Sequence, residues 1–366
     1  MKLGIVTIWD LTNYGNRLQN YALSYILRKK LGHRAETLVS IKEKPFENGT
    51  YLLWIKHRIA GACCVAPTFA EKQWGAGMTR WRNFHRWSKQ QIPVRYFYRT
   101  SHLPEALQQQ YDLFLAGSDQ IWNWQFPSTK FDDYFLRFAR DEQKIAYSAS
   151  FGVDHLPEAL QEAYREGLEG FAHLSVREAA GARLAEGLLG REVPVLIDPT
   201  MLLTAEEWLC VAKKPRVDIA KPYVLKYYLG EEEESEKIDH WAKANGYAVY
   251  ELMNPNLPEL YSAGPGEFLT LLANAAFVAS DSYHCIVFSI LFHRPFAVYE
   301  RRGKEGDMRS RLDTLLGTFG FEDRWKHRLS DEDYLRCDTS RTDAVLELER
   351  QRAMDYLRTA LHAERN

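Results

Sequence analysis

Phe277-Val278-Ala279 is an apolar run that stops at Ser280-Asp281-Ser282-Tyr283-His284 and restarts at once with helical spacing from Ile286 to Phe292. A run this short and apolar, followed directly by a helical pattern, predicts a strand buried on both faces, a tight polar loop and a helix packed on the sheet. The loop then lies at the carboxyl end of a parallel strand, where open α/β sheets bind ligands. The helix behind it offers unbonded N–H groups and the positive end of its dipole, which suits an anion, and His284 places a titratable ring there.

The same alternation recurs along the chain. Residues 3–9 read as a strand, 10–15 as a loop and 16–31 as a helix closed by Gly32. Further strands are expected at 36–39, 112–116, 144–149, 174–177 and 193–197, with helices at 157–169 and 179–189. After Asp198-Pro199-Thr200 a second series begins, with strands at 223–229, 247–252, 276–280 and 295–299 and helices at 231–245, 267–274, 285–292 and 309–319. The pattern predicts an α/β chain of two doubly wound, Rossmann-like domains facing a cleft. The first, on the acceptor side, covers 1–202 and the second, on the donor side, 203–328; in the helical segment 329–366, a helix at 341–363 packs back on the first domain. At 366 residues and 46% hydrophobic, the chain has material for two cores.

A formal net charge of -2 gives no whole-molecule field for nucleic acid, which is not expected as a partner. The five cysteines are odd in number and show no C-x-x-C spacing, which points to a reducing compartment. No signal-peptide pattern opens the sequence, and no window reaches about 18 apolar residues. A cytoplasmic protein is expected, at most peripheral at the inner face of the cell membrane. The segment 51–99 mixes aromatics with bases, as in Tyr51-Leu52-Leu53-Trp54-Ile55-Lys56-His57-Arg58. Such a mixture suits an anionic membrane surface. The alternative is a helix burying Trp74, Trp81, Phe84 and Trp87 with its bases on the solvated side, and the spacing favours it. No metal-ligand cluster, phosphate loop or nucleophile elbow is found, so no metal is expected.

Five polar loops fall at predicted strand ends, and they hold the candidate residues. Asp10, Asn13, Asn16 and Gln19 follow the first strand; Asp119, Gln120, Trp122 and Asn123 follow the strand at 112–116. Ser148-Ala149-Ser150 and Arg177 end the next two strands, and Asp281, Ser282 and His284 form the loop described above. The amides suit sugar hydroxyls, and Trp122 offers an apolar face to a pyranose, though all of them serve equally as loop-fixing groups. Asp281, Asp119 and Asp10 are candidate acids, a use that competes with helix capping.

Asn13-Tyr14-Gly15-Asn16-Arg17-Leu18-Gln19, the run from Gly117 to Asn123, the run from Ala146 to Gly152, Ser175-Val176-Arg177-Glu178, Asp198-Pro199-Thr200 and Ser280-Asp281-Ser282-Tyr283-His284, in this order, resemble the polysaccharide pyruvyl transferase family. The resemblance spans about residues 1–321. It implies a GT-B-like fold and transfer of pyruvyl from phosphoenolpyruvate to a sugar of a cell-surface glycan, or of its lipid-linked precursor, as a cyclic ketal. The donor is a substrate, and no cofactor is implied. The resemblance makes Arg177 a donor clamp, with the alternative that it pairs structurally with Glu178 or another carboxylate at the domain edge, and it makes His284 the base toward a sugar hydroxyl or a donor to phosphate. One position departs: Ser282 stands where the family carries an arginine. The stretch 300–311 carries five bases, among them Arg301 and Arg309, and is expected to supply that charge in part. A nucleotide-sugar glycosyltransferase and a non-catalytic carbohydrate-binding relative remain the alternatives.

Overall fold

The computed structural model of the chain describes residues 1–10, 12–41, 69–126, 131–230, 235–301 and 309–362. β1 (Lys2–Val6), β2 (Arg34–Ile41), β3 (Val94–Tyr98), β4 (Leu113–Ala116), β5 (Lys144–Ala149) and β6 (His173–Val176) pair in parallel in the order β3-β2-β1-β4-β5-β6. β7 (Tyr223–Tyr227), β8 (Ala248–Glu251), β9 (Phe277–Ser280) and β10 (Phe296–Val298) form a second parallel sheet in the order β10-β9-β7-β8. Strand order therefore reverses between β1 and β4 in one sheet and between β7 and β9 in the other. A crevice opens at such a reversal because the flanking connections leave to opposite faces.

The longer helices are α1 (Tyr14–Tyr25), α2 (Phe69–Gln91), α3 (Glu158–Glu169), α4 (Ala179–Leu189), α5 (Ser235–Ala244), α6 (Pro265–Asn274), α7 (Tyr283–Leu291), α8 (Arg309–Phe319) and α9 (Thr342–His362). β4, β5 and β9 are buried along their whole length, which is why they read as continuous apolar runs rather than as alternation. α7 is buried at every position, so its wheel has no polar side.

One hydrophobic core runs from the first sheet through α1 into the second. Tyr14 stacks on Phe268 at 4.3 Å, and Trp208 lies between Tyr21 at 5.4 Å and Phe288 at 5.0 Å. Burying each such ring is worth about 1.5–3 kcal/mol. Five of them outweigh the loose, polar contact typical of hinged domains, so the halves form a firm unit. α2 adds a polar clasp: Arg80 donates to Thr12 O and Tyr14 Oη on one side and to Tyr261 O on the other. From α9, Tyr356 Oη donates to Ala146 O at 2.8 Å, and Arg350 donates to Met201 O and Leu203 O. No helix among the described residues is long and apolar enough to cross a membrane.

The structure departs from the sequence reading in four places. β3 was not foreseen, because its Val94-Arg95-Tyr96-Phe97-Tyr98 lies inside the aromatic and basic stretch and, as an edge strand, is only half buried. The strand expected at 193–197 reduces to a single bridge, Val176 with Val195, since Pro194 has no N–H to give a ladder. The first helix turns π-helical over Ile26–Lys30 before Gly32, at φ 73, ends it. Arg80 lies inside, not on the solvated side of α2; Phe84 and Trp87 are buried as the stripe required, and Trp81 is partly exposed, stacked on His85. The stretch 51–58 lies outside the described residues, as does the side chain of Trp74.

Candidate active site

Asp198 is the node of the site. It caps the short turn Pro199–Leu202, with Oδ1 accepting from Thr200 N at 2.9 Å and Thr200 Oγ1 at 2.7 Å. Its other oxygen accepts from Arg177 Nη1 at 2.8 Å and Ser118 Oγ at 3.1 Å, and lies 3.4 Å from His284 Nε2. Arg177 leaves the end of β6 and His284 sits in the first turn of α7, so one carboxylate joins the two sheets. Burial alone would raise the Asp198 carboxyl; His284, Arg177 and the Thr200 N–H outweigh it and hold the group well below the usual carboxylate range.

Arg177 is fully buried. Burial opposes its charge, but Tyr283, Asp198, Asp119 and Glu178 more than restore it and raise its pKa. It lies 4.4 Å from the centre of the Tyr283 ring, and its Nη2 stands 3.7 Å from Asp119. Its Nε and Nη2 find no hydrogen-bond acceptor, and His284 Nε2 likewise has no hydrogen-bond partner. Of the carboxylates open to Arg177 as a structural partner, Asp198 is the one it pairs with and Glu178 is not. Glu178 Oε1 accepts from Ser150 Oγ, Phe151 N and Gly152 N, fixing the loop after β5, while its Oε2 has no hydrogen-bond partner.

His284 packs against the start of α1. A Cβ at Gly15 would overlap its Nδ1, so the glycine lets the two helix N-termini, one from each sheet, meet at the imidazole. Asn13 caps α1 by accepting from Asn16 N, and Asn16 in turn donates to Asp119 at 3.0 Å. Asp119 holds a left-handed φ of 72, an uncommon conformation for a non-glycine residue and one that often marks a functional site. Burial would raise its carboxyl; Arg177, His284 and Asn16 pull it below its ordinary value.

A cleft of about 550 Å³ opens in front of this cluster. Asp10, Asn13, Asn16, Asp119, Gln120 and Asn123 line it from the first domain, and Leu229 and Arg301 from the second. Arg177 and His284 lie behind Asp119 and do not line it.

Several candidates occupy other places. Trp122 is fully buried against Phe135, Phe151 and Phe171 and offers no face to a sugar; its neighbour Trp124 reaches the cleft instead. Gln19 points into the fold, where its Nε2 donates to Thr7 Oγ1 and Asn16 O. Arg309 is spent on Glu300, Asp313 and the face of Trp325. Asp281 accepts from Leu229 N and Gly230 N at 2.8 Å each and from Arg301 at 3.3 Å, which ties loops of the second domain together. Ser282 is the N-cap residue of α7, and its own N–H donates to Ser280 Oγ at 3.0 Å.

Arg311 is one of the five bases of 300–311, though not one singled out from the sequence. It is buried in the first turn of α8, 5.7 Å from the Tyr283 ring whose centre also lies near Arg177. Burial, with repulsion from Arg177 and Arg301, pulls its pKa down to about 9. Arg177 and Arg311 therefore lie close to a third guanidinium, that of Arg301, which lines the cleft. They meet four carboxylates, Asp119, Asp198, Glu178 and Asp281, each already engaged by protein donors. No group of three or more metal-ligating side chains occurs among the described residues.

In overall shape the chain is similar to putative UDP-N-acetylglucosamine 2-epimerase from Listeria monocytogenes (TM-score 0.48, 10% identity, 99% of this chain and 98% of that one). It is also similar to S. aureus MnaA in its UDP co-structure (TM-score 0.46, 12% identity, 99% and 97% covered). E. coli heptosyltransferase WaaC, solved with ADP-2-deoxy-2-fluoro heptose, matches with TM-score 0.36, 14% identity and coverage of 87% and 99%. No curated protein matches the chain in sequence. The family model for polysaccharide pyruvyl transferase matches residues 13–302. That span takes in α1 and its cap Asn13, the loops after β4, β5, β6 and β9, and Asp198, and this α/β chain with two parallel sheets is therefore a transferase of the polysaccharide pyruvyl transferase family.

Proposed function

We propose that the protein transfers pyruvyl from phosphoenolpyruvate to two hydroxyls of a sugar, in a cell-surface glycan or its lipid-linked precursor, as a cyclic ketal. The observation that carries this reading is a set of buried nitrogens without hydrogen-bond partners, Arg177 Nε and Nη2 and His284 Nε2, on two side chains that both reach the same Asp198 oxygen. Leaving buried donors unmatched costs about 1–3 kcal/mol each, and a small anion with several acceptor oxygens removes that cost.

In this reading Arg177 and Arg311 clamp the donor carboxylate and phosphate, with the N-termini of α1 and α7 adding positive potential. Arg311 reaches the site from α8 and supplies charge that Ser282 does not. The donor methylene takes up one proton as C2 gains the first sugar oxygen, the second sugar oxygen then displaces phosphate from C2, and of the two hydroxyl protons released one replaces that taken up by the methylene and the other leaves with the phosphate. His284 receives a hydroxyl proton. Asp119, held below its ordinary pKa, suits orienting a hydroxyl better than giving a proton. Asp281, with both oxygens engaged, holds the second-domain loops. A donor engages Arg177 by taking over its 3.7 Å contact with Asp119.

The direct test is phosphate release from phosphoenolpyruvate that depends on an acceptor sugar, beside thermal-shift screening of the donor against nucleotides. Stabilisation by nucleotides alone would overturn the reading. Arg311→Gln is expected to weaken donor binding by about 10- to 100-fold while the protein stays folded, since one charge-assisted contact is worth about 1.5–3 kcal/mol. Calorimetry with phosphoenolpyruvate reads it, and unchanged affinity would remove Arg311 from the donor site. Gly15→Ala forces the imidazole off its position and is expected to lower turnover about 10²-fold, the scale of a 1 Å misplacement. Turnover at the parental rate would show that the ring tolerates the shift.

A further inference from the structure

The cleft in front of the charged cluster has a lining that donor chemistry leaves unused. Trp124, Phe126 and Phe131 are half-exposed rings on it, beside the amides of Gln120 and Asn123. Trp124 is held in place before any ligand arrives: its Nε1 donates to His155 O at 3.1 Å, and the His155 ring packs edge-on at 5.6 Å. The amides are ordered too, Asn123 Nδ2 donating to Gln120 Oε1 at 2.9 Å. Fixed aromatic faces beside amide donors and acceptors match a pyranose, which has apolar C–H faces and a rim of hydroxyls.

The charge of the lining narrows the choice. Asp10 and Asp119 contribute two carboxylates, and among the described lining residues Arg301 is the one cation, paired with Asp281 at 3.3 Å. Among the described lining residues a negative charge on the sugar meets two carboxylates and one arginine already paired, which disfavours it.

We propose that Trp124 is the stacking platform for the acceptor and that this cleft selects an uncharged pyranose over a uronic acid or a sugar phosphate. The proposal rests on the reading of the cleft as the acceptor side, and it makes Trp124 the specificity-determining ring. Its volume of about 550 Å³ lies within the usual range of small-ligand sites.

Saturation-transfer NMR without any donor tests it, using methyl glycosides of several stereochemistries, each paired with its uronate, and a sugar 1-phosphate. Neutral members are expected to bind and their acidic partners to bind at least about tenfold more weakly, the effect of about 1.4 kcal/mol. Trp124→Ala is expected to weaken the neutral ligands about tenfold, on the scale of one lost ring contact. Asp10→Asn is expected to narrow the gap between neutral and acidic partners. Equal or tighter binding of the acids overturns the proposal, as does a Trp124→Ala protein that binds like the parent. Binding of no panel member by a protein with an intact thermal transition overturns it as well. Because phosphoenolpyruvate is absent throughout, failure of the donor reading shows separately, as no thermal shift with that compound.

Discussion

Asp198→Ala is expected to remove about 3–5 kcal/mol of unfolding free energy, the scale for leaving a buried charge without its counter-ion. Arg177 is fully buried with Nη1 2.8 Å from Asp198, while Asp119, at 3.7 Å, is the weaker partner that remains. The sign with pH follows from the depressed carboxyl of Asp198. Its contribution is whole above the unfolded value of about 3.9 and fades as pH falls below it. Urea denaturation of parent and variant should therefore show the full gap at neutral pH and a smaller one below about pH 4. A variant as stable as the parent at neutral pH would mean that Asp119 alone suffices to hold Arg177. Asp198 holds both Arg177 and the approach to His284, so activity measurements on the variant need the stability measurement beside them.

Removing the imidazole is expected to act on rate more than on stability. His284→Ala should lower acceptor-dependent phosphate release by about 10²- to 10⁴-fold, the range for losing a positioned acid–base group. The unfolding free energy should fall by less than in Asp198→Ala, because Arg177 still neutralises Asp198. His284→Gln, which keeps bulk in the contact with Gly15, separates packing from proton transfer: it should restore stability and leave turnover low. Turnover recovered by glutamine would assign the ring a packing role and sink its place in the chemistry.

The two-domain plan was legible because parallel strands buried on both faces leave a local mark, an unbroken apolar run closed by a polar loop. β5 and α4 begin and end where the sequence pattern places them. β3 was illegible because an edge strand half open to water carries arginine and tyrosine as readily as valine. Among the candidate site residues, those whose position follows from a strand end, such as Asp119, Arg177 and His284, come together. Trp122 and Trp124 are two residues apart in one loop, and nothing local says which ring turns inward; the pocket formed by Phe135, Phe151 and Phe171 takes Trp122. The loop at 300–311 shows the same limit. It advertises its bases plainly, but Arg309 finds surface partners two positions before Arg311 is buried beside Tyr283.

By itself the sequence determined the order of strands and helices, the family, and the polar loops at the strand ends, since each of these depends on patterns within a few residues of one another. Only the tertiary structure decided that Asp198 binds Arg177 and approaches His284, that Gly15 makes room for the imidazole, and that Arg311 is buried near the Tyr283 ring. Those contacts join residues far apart in the chain, and whether two such side chains meet depends on how two sheets pack, which no local pattern encodes.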